Sequence, residues 1–343
     1  MSGGKCVVLK GFGGYEMLNT EERPDPKITL SNEVKVQVHA CGVNFADIYQ
    51  RQGMLVDMPK PPVVLGLECS GVVECVGNEV LSLKKGDKVM CYSSKGGLYS
   101  EKVVLPAEKC FLMPSSMTFE EGAAFLINYL TAYFTLFDIG NLQRGQTVFV
   151  HAIAGGVGCA VTQLSKSMPE ITVLGTASDG KALAARANGA DTVLSYSSFH
   201  EELNTRHPKG VDIFIDNLSG AEFIKSLVHI RGLGKLIHIG ANSVITGEKR
   251  NFMALVRAFW GLKNVSILQL VNNNQAVCGF HLANLWETDQ LRVTNTVEKL
   301  CRLYEDGVLK PQIDTTWHFN EVTTAMQRIG RRDNIGKVVI TPE

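Results

Sequence analysis

The chain has 343 residues, and 34 Lys and Arg balance 34 Asp and Glu, so its formal net charge is zero. That length exceeds the roughly 250–300 residues at which one core stops growing, and it predicts two domains. The charge balance removes the global electrostatic case for a nucleic-acid partner. Nine cysteines, an odd number with no Cys-x-x-Cys pair, read as free thiols in a reducing cytosol. Met1-Ser-Gly-Gly-Lys-Cys6 has neither an apolar signal core nor glycine at its second position. No apolar run approaches the ~20 residues that span a bilayer, so the expected location is cytoplasmic.

The first third predicts short strands joined by turns. Val34, Val36, Val38 and Ala40 alternate with Lys35, Gln37 and His39, the pattern of a half-buried strand. Gly71-Val-Val-Glu-Cys-Val-Gly77 and Lys88-Val-Met-Cys91 continue it, and Lys85-Gly-Asp-Lys88, Ser94-Lys-Gly-Gly97 and the prolines at 59, 61 and 62 punctuate it. From Glu120 to Phe137 apolar residues recur every three or four positions, which predicts one helix ended by Gly140. Strands then alternate with helices. The predicted strands are Thr147–His151, Thr172–Gly175, Thr192–Tyr196, Ile213–Asp216, Lys235–Ile239 and Ser266–Val271. Apolar strands separated by helical crossovers imply a parallel sheet covered on both faces. Asp289 to Glu305 predicts a further helix, and Pro311 to Glu343 returns to strand-like pieces that rejoin the first domain.

Between the first of those strands and an amphipathic stretch, Val157 to Met168, lies His151-Ala-Ile-Ala-Gly-Gly-Val-Gly158. Glycines let the chain turn sharply and let its amides approach a pyrophosphate, while the next helix points its positive end at the anion. Ala154, Gly155, Gly156, Val157 and Gly158 are therefore the expected phosphate-binding turn of a dinucleotide fold. The NAD version of such a fold places an acidic residue about 20 positions further on. Here Thr176 and Ala177 occupy that place, with Ser178 and Lys181 beyond, a hydroxyl and a positive charge that suit a 2′-phosphate. The expected cofactor is NADPH, with Asp179 as the dissenting residue.

With these residues assembled, the chain resembles the medium-chain dehydrogenase/reductase superfamily. Gly42-Val-Asn-Phe-Ala-Asp-Ile-Tyr-Gln-Arg-Gln-Gly53 is similar to the quinone oxidoreductase signature, followed by Leu65-Gly-Leu-Glu-Cys-Ser-Gly71 and Gly86-Asp-Lys-Val-Met90. Tyr129-Leu-Thr-Ala-Tyr-Phe-Thr-Leu-Phe-Asp138, Lys249-Arg-Asn-Phe-Met-Ala-Leu255 and Gln275-Ala-Val-Cys-Gly-Phe-His-Leu282 resemble the vesicle amine transport protein group. The resemblance implies an α/β architecture: a GroES-like β-rich catalytic domain over 1–126, a Rossmann NADP-binding domain with a doubly wound parallel sheet over 127–280, and a return to the catalytic domain over 281–343. Zinc members of the superfamily hold metal at positions matching Asn44 and Leu67. Neither an amide nor an alkyl chain replaces thiolate and imidazole, so no metal is expected.

The implied function is a zinc-independent oxidoreductase that transfers hydride to a quinone or activated enone. Asn44 and Tyr49 are its candidate catalytic residues: Asn44 near the nicotinamide, Tyr49 a donor to the substrate oxygen. By resemblance Thr131, Tyr196, Gly240, Ala241, Phe280, Asn334 and Lys337 also fall near the cofactor. A second reading comes from Lys249 to Lys263. Phe252, Leu255, Val256 and Phe259 recur at helical spacing among Lys249, Arg250, Arg257 and Lys263, with Trp260 alongside, which suits a peripheral contact with anionic vesicle or organelle membranes. Under that reading the chain binds NADPH but carries little or no reductase activity. A core helix or a subunit contact is the plainer alternative for the same segment. The apolar edge expected at Ser266–Val271 suggests a homodimer.

Overall fold

The computed structural model describes residues 3–55, 58–263 and 265–342, and these form three sheets. Six parallel strands lie in the order Thr192–Leu194, Thr172–Thr176, Thr147–Val150, Val211–Asp216, Ile230–His238, Ala276–Gly279. Counted along the chain this is 3-2-1-4-5-6, the doubly wound Rossmann order, whose switch point lies between the first and fourth strands. Val148, Phe149 and Val150 are all buried, as strands covered on both faces require.

A seven-stranded sheet gathers the β-rich first third, with Glu33–Val43 at its centre beside Glu68–Val76 and Lys102–Pro106. Lys337–Thr341 pairs antiparallel with Glu33–Val43, so the end of the chain lies in the sheet built by its beginning. A small third sheet pairs Gly4–Leu9 with Leu18–Arg23 and Val63–Val64. The fold is therefore α/β, with a GroES-like β-rich part and a Rossmann part.

Three expectations change. Ser266–Val271 is not a strand: Ile267–Asn273 is helical, Ser266 caps it by accepting from the Gln269 amide at 3.4 Å, and Asn274 ends it in the left-handed conformation. A short apolar run fits either period, and the two caps decide it. The sheet edge accordingly belongs to Ala276–Gly279, and any pairing across it starts there. The helix expected over Glu120 to Phe137 is Phe119–Ala123, closed by a Thr118–Glu121 capping box, then Leu126–Tyr133, whose end widens into a π turn over Phe134–Ile139. The tail holds a helix, Val322–Gly330, between its strands Ile313–His318 and Lys337–Thr341.

Lys249 to Lys263 forms a helix over Phe252–Lys263, with Lys249 and Arg250 before its start. Ala258 packs inward near Gly220, while Phe252 is 67% and Trp260 63% exposed. The side chains of Phe259 and Lys263 lie outside the described residues. No helix among the described residues is long and apolar enough to cross a membrane.

Close approach fixes one glycine of the β-rich part. A Cβ on Gly42 would stand 2.1 Å from the Ala123 carbonyl oxygen and 2.6 Å from Lys337 Cε. Gly42→Ala is expected to destabilise the protein by about 2 kcal/mol or more in chemical denaturation, as overpacking of a filled interior does. An unchanged midpoint would show that the interior gives way.

Candidate functional site

A cleft of about 530 Å³ opens outside the carboxyl ends of the parallel strands, where the Rossmann sheet faces the β-rich part. Its floor is the glycine run. Ala152 takes a positive φ of 54°, its carbonyl accepts from the Gly155 amide at 2.8 Å, and the helix Gly156–Lys166 starts there. The amides of Gly156, Val157 and Gly158 stand in the first turn, where a helix has no acceptor of its own to offer them. A Cβ on Gly158 would lie 2.5 Å from the Ala152 carbonyl oxygen, so packing there needs glycine, and one on Gly156 would lie 2.5 Å from Asn128 Nδ2 and displace that side chain.

Of the residues singled out in the sequence, Asn44, Tyr49, Thr131, Ala154, Gly155, Gly156, Val157, Gly158, Ser178, Lys181, Tyr196, Gly240, Asn334 and Lys337 line this one cleft. Ala241 and Phe280 do not. They line an adjoining cavity of about 790 Å³, which meets the cleft at Ile239 and Gly240. Thr176 is fully buried beneath the floor, where its hydroxyl meets His151 Nδ1 at 2.9 Å and accepts from the Ala152 amide at 3.3 Å. Its part is to hold the turn from below.

Sequence reasoning passed over the arginine pair. Arg331 and Arg332 line the cleft, Arg332 with φ 59° and its guanidinium donating to the Asn242 carbonyl at 2.9 Å. Two adjacent arginines followed by Asp333-Asn334-Ile335-Gly336 were a visible signal, but nothing in the one-dimensional order ties them to Lys181. The fold does: Lys181 Nζ donates to the backbone carbonyls of Arg332 and Asn334, the latter at 2.9 Å. Burial there lowers the pKa of Lys181 below the ordinary lysine value.

At the other end a buried polar knot stands on the helix Phe45–Arg51. Asn44 caps that helix, and its backbone amide donates to Asp47 Oδ2 at 2.8 Å. Its side-chain amide donates to the Gly42 carbonyl at 3.1 Å and to Glu68 Oε1 at 3.0 Å, and its oxygen accepts from Lys337 Nζ at 2.6 Å. Lys337 and Glu68 form a close ion pair, both almost wholly buried. Burial raises the Asp47 carboxyl to about 6 despite hydrogen bonds from the Asn44 amide and Tyr99 hydroxyl. The Tyr49 hydroxyl, its pKa raised by burial, donates to Asn242 Oδ1 at 2.7 Å across the cleft. Asn44 and Tyr49 thus both spend their polar atoms on the protein itself. Among the described residues no group of three or more His, Cys, Asp or Glu is placed to hold a metal ion.

Residues 31–115 match the alcohol dehydrogenase GroES-like domain and residues 188–340 the zinc-binding dehydrogenase domain. The human synaptic vesicle membrane protein VAT-1 homolog is 42% identical over 98% of this chain and 86% of its own length. The chain is a medium-chain dehydrogenase/reductase of the quinone oxidoreductase-like kind. The crystal structure of the human VAT-1 homolog-like protein superposes with a TM-score of 0.87 at 34% identity, covering 100% of this chain and 99% of that one. Escherichia coli quinone oxidoreductase complexed with NADPH superposes with a TM-score of 0.86 at 26% identity, covering 98% and 100% of the two chains.

His151, at the head of the glycine run, is wholly buried, and desolvation lowers its pKa from 6.5 to about 4. The folded state holds it neutral while the unfolded chain takes up a proton, so its contribution is complete above pH 6.5 and is lost as the pH falls toward 4. That contribution is about 3 kcal/mol. Thermal melts of His151→Gln against the parent from pH 7.5 to 4.5 are expected to show a smaller acid-induced loss in the variant. Parallel curves would remove His151 from the account.

Proposed function

We propose that the protein is an NADPH-dependent reductase of quinones or activated enones. One observation carries the reading: the glycine turn, the open helix start at Gly156 and the basic groups Lys181, Arg331 and Arg332 all face a single cleft. NADPH, when bound, supplies a hydride, which together with one proton from water converts a quinone to a hydroquinone or an enone to a saturated ketone.

The chain's own residues bind and orient. The Gly156 helix start seats the pyrophosphate, and Ser178, Lys181 and Arg332 recognise the 2′-phosphate with charge-assisted hydrogen bonds. Lys181 keeps one N–H beyond the two given to Arg332 and Asn334. Tyr196, 41% exposed at the cleft, offers its ring to the adenine. Thr131, Asn44 and Tyr49 frame the space for the acceptor, with Ala241 and Phe280 on the far side of Gly240. The NADPH complex of the quinone oxidoreductase neighbour supports the cofactor choice.

Calorimetric titration is expected to give NADPH at least a tenfold tighter Kd than NADH, and Lys181→Glu to bring the two within about threefold, since one lost charge-assisted contact is worth ~1.5–3 kcal/mol. Equal affinities for the two nucleotides in the parent protein would reject the phosphate site. Oxidation of NADPH with 1,4-benzoquinones, followed at 340 nm, is expected to exceed the Lys181→Glu control. No difference would favour a binding protein without turnover.

A specific surface favours a second role beside this one. Phe252, Met253 and Trp260 stand exposed on the helix Phe252–Lys263, and Ile267, Leu268 and Val271 on the helix that follows. With Arg250 and Arg257 near them, they suit an anionic lipid interface. Sedimentation with phosphatidylserine liposomes is expected to pull down the protein and to lose it on the double change Phe252→Ser and Trp260→Ser. Equal recovery with neutral and anionic liposomes would reject this role.

A further inference from the structure

Reduction of a carbonyl acceptor leaves negative charge on its oxygen, and the side chains of Asn44 and Tyr49 are spent. Asn44 gives both amide hydrogens to Gly42 and Glu68 and receives Lys337 on its oxygen. Tyr49 gives its hydroxyl hydrogen to Asn242. Lys337 is different. Its ammonium carries three N–H bonds, and among the described residues it meets two acceptors, Asn44 Oδ1 and Glu68 Oε1. It lines the cleft alongside Asn44 and Thr131.

We propose that Lys337 is the residue that stabilises the oxyanion of a carbonyl acceptor, with Glu68 and Asn44 as its positioning residues. The proposal rests on the reductase reading and adds to it the group that meets the developing charge. Three features of the site support the assignment.

Placement comes first. Lys337 opens the strand Lys337–Thr341 immediately after Gly336, whose amide donates to the Ala154 carbonyl of the glycine run at 2.8 Å. The same residue therefore touches the cofactor floor through its neighbour and the acceptor space through its side chain. Fixation comes second. Glu68 Oε2 accepts from the Ile127 amide at 3.1 Å while its Oε1 holds Lys337, so the carboxylate is anchored at both oxygens and the ammonium does not swing freely. Gly42 keeps the space they need, because a Cβ there would stand 2.6 Å from Lys337 Cε and 2.8 Å from Glu68 Oε1. Dielectric comes third. The ammonium is almost wholly buried, so water screens it little, and although Glu68 offsets part of its charge its fixed N–H needs no reorganisation to meet a forming oxyanion.

The test uses 4-nitrophenol, a phenol whose ionised form is coloured, as a stand-in for the oxyanion. Its ionisation is titrated by absorbance when bound to the full-length protein, with and without NADP+. The bound phenol is expected to ionise at least one pH unit below the free one, a tenfold preference for phenolate. Lys337→Met paired with Glu68→Gln, which leaves no unpaired buried carboxylate, is expected to abolish the shift while retaining bound phenol. Lys337→Arg keeps the charge and is expected to keep the shift, and it serves where the double variant does not fold. Absence of phenol binding, an unshifted titration in the parent, or a shift that survives the double change overturns the proposal. So does a variant whose only defect is weaker NADP+ binding in calorimetry, because Lys337 would then be a cofactor contact. Failure of the parent to bind NADP+ overturns the reductase reading instead, and the cofactor-free titration still reports on Lys337.

Discussion

The closing of the chain's end onto its beginning is the constraint from which the site follows. Gly336 takes a φ of 79°, which brings its amide to the Ala154 carbonyl and sends the next residue into the β-rich sheet. A Cβ at Gly336 would stand 2.1 Å from the Gln312 carbonyl oxygen, so the turn admits no larger residue. Lys337 then pairs with Glu68 in the interior. Neither ion is at home there alone, since removal from water costs several kcal/mol for each, and the pair is tolerated because each supplies the other's partner, Asn44 accepts a second ammonium N–H and the Ile127 amide meets the other carboxylate oxygen. One dipeptide thus sets the distance between the glycine run and the floor of the acceptor space.

A second strap ties the opposite wall. The segment after Ile230–His238 crosses from the Rossmann sheet to the β-rich part, where Asn242 receives Tyr49 and Arg332, and Arg51 and Gln52 donate to the carbonyl oxygens of Gly247 and Glu248. Arg51 is fully buried and also stacks its guanidinium 4.1 Å from the Tyr15 ring centroid. Arg51, Gln52 and Arg332 hold this strap through its backbone carbonyls, which asks the loop for no particular side chain there, while Tyr49 needs the Asn242 side chain. Loop sequence can change along the strap while its position is retained.

The same chain presents a different chemistry outward. Among the described side chains of the helix Phe252–Lys263, Phe252, Met253 and Trp260 face solvent, Leu255 packs against the interior and Ala258 is buried near Gly220. A helix folded only for the core would turn its largest apolar side chains inward, and these three do not. The cleft lies between the Rossmann and β-rich parts, and the apolar surface of this helix is not among its lining.

The sequence by itself determined the fold class and the floor of the cleft. Strands such as Thr147–Val150 and Thr172–Thr176 are short apolar runs between helical periods, and the glycine run takes its meaning from the strand before it and the helix after it, so the local pattern suffices to place it. It did not determine Ile267–Asn273, whose seven apolar or polar letters fit both periods until the caps at Ser266 and Asn274 are seen. Nor did it reveal that Asn44 and Tyr49 are already engaged, that Thr176 lies beneath the floor, or that Arg332 stands beside Lys181. Those facts depend on pairs separated by 293, 193, 25 and 151 positions, respectively. Hydrogen bonds between such distant groups leave no periodic trace in one dimension, and only the packed chain decides which polar atoms remain free for a ligand.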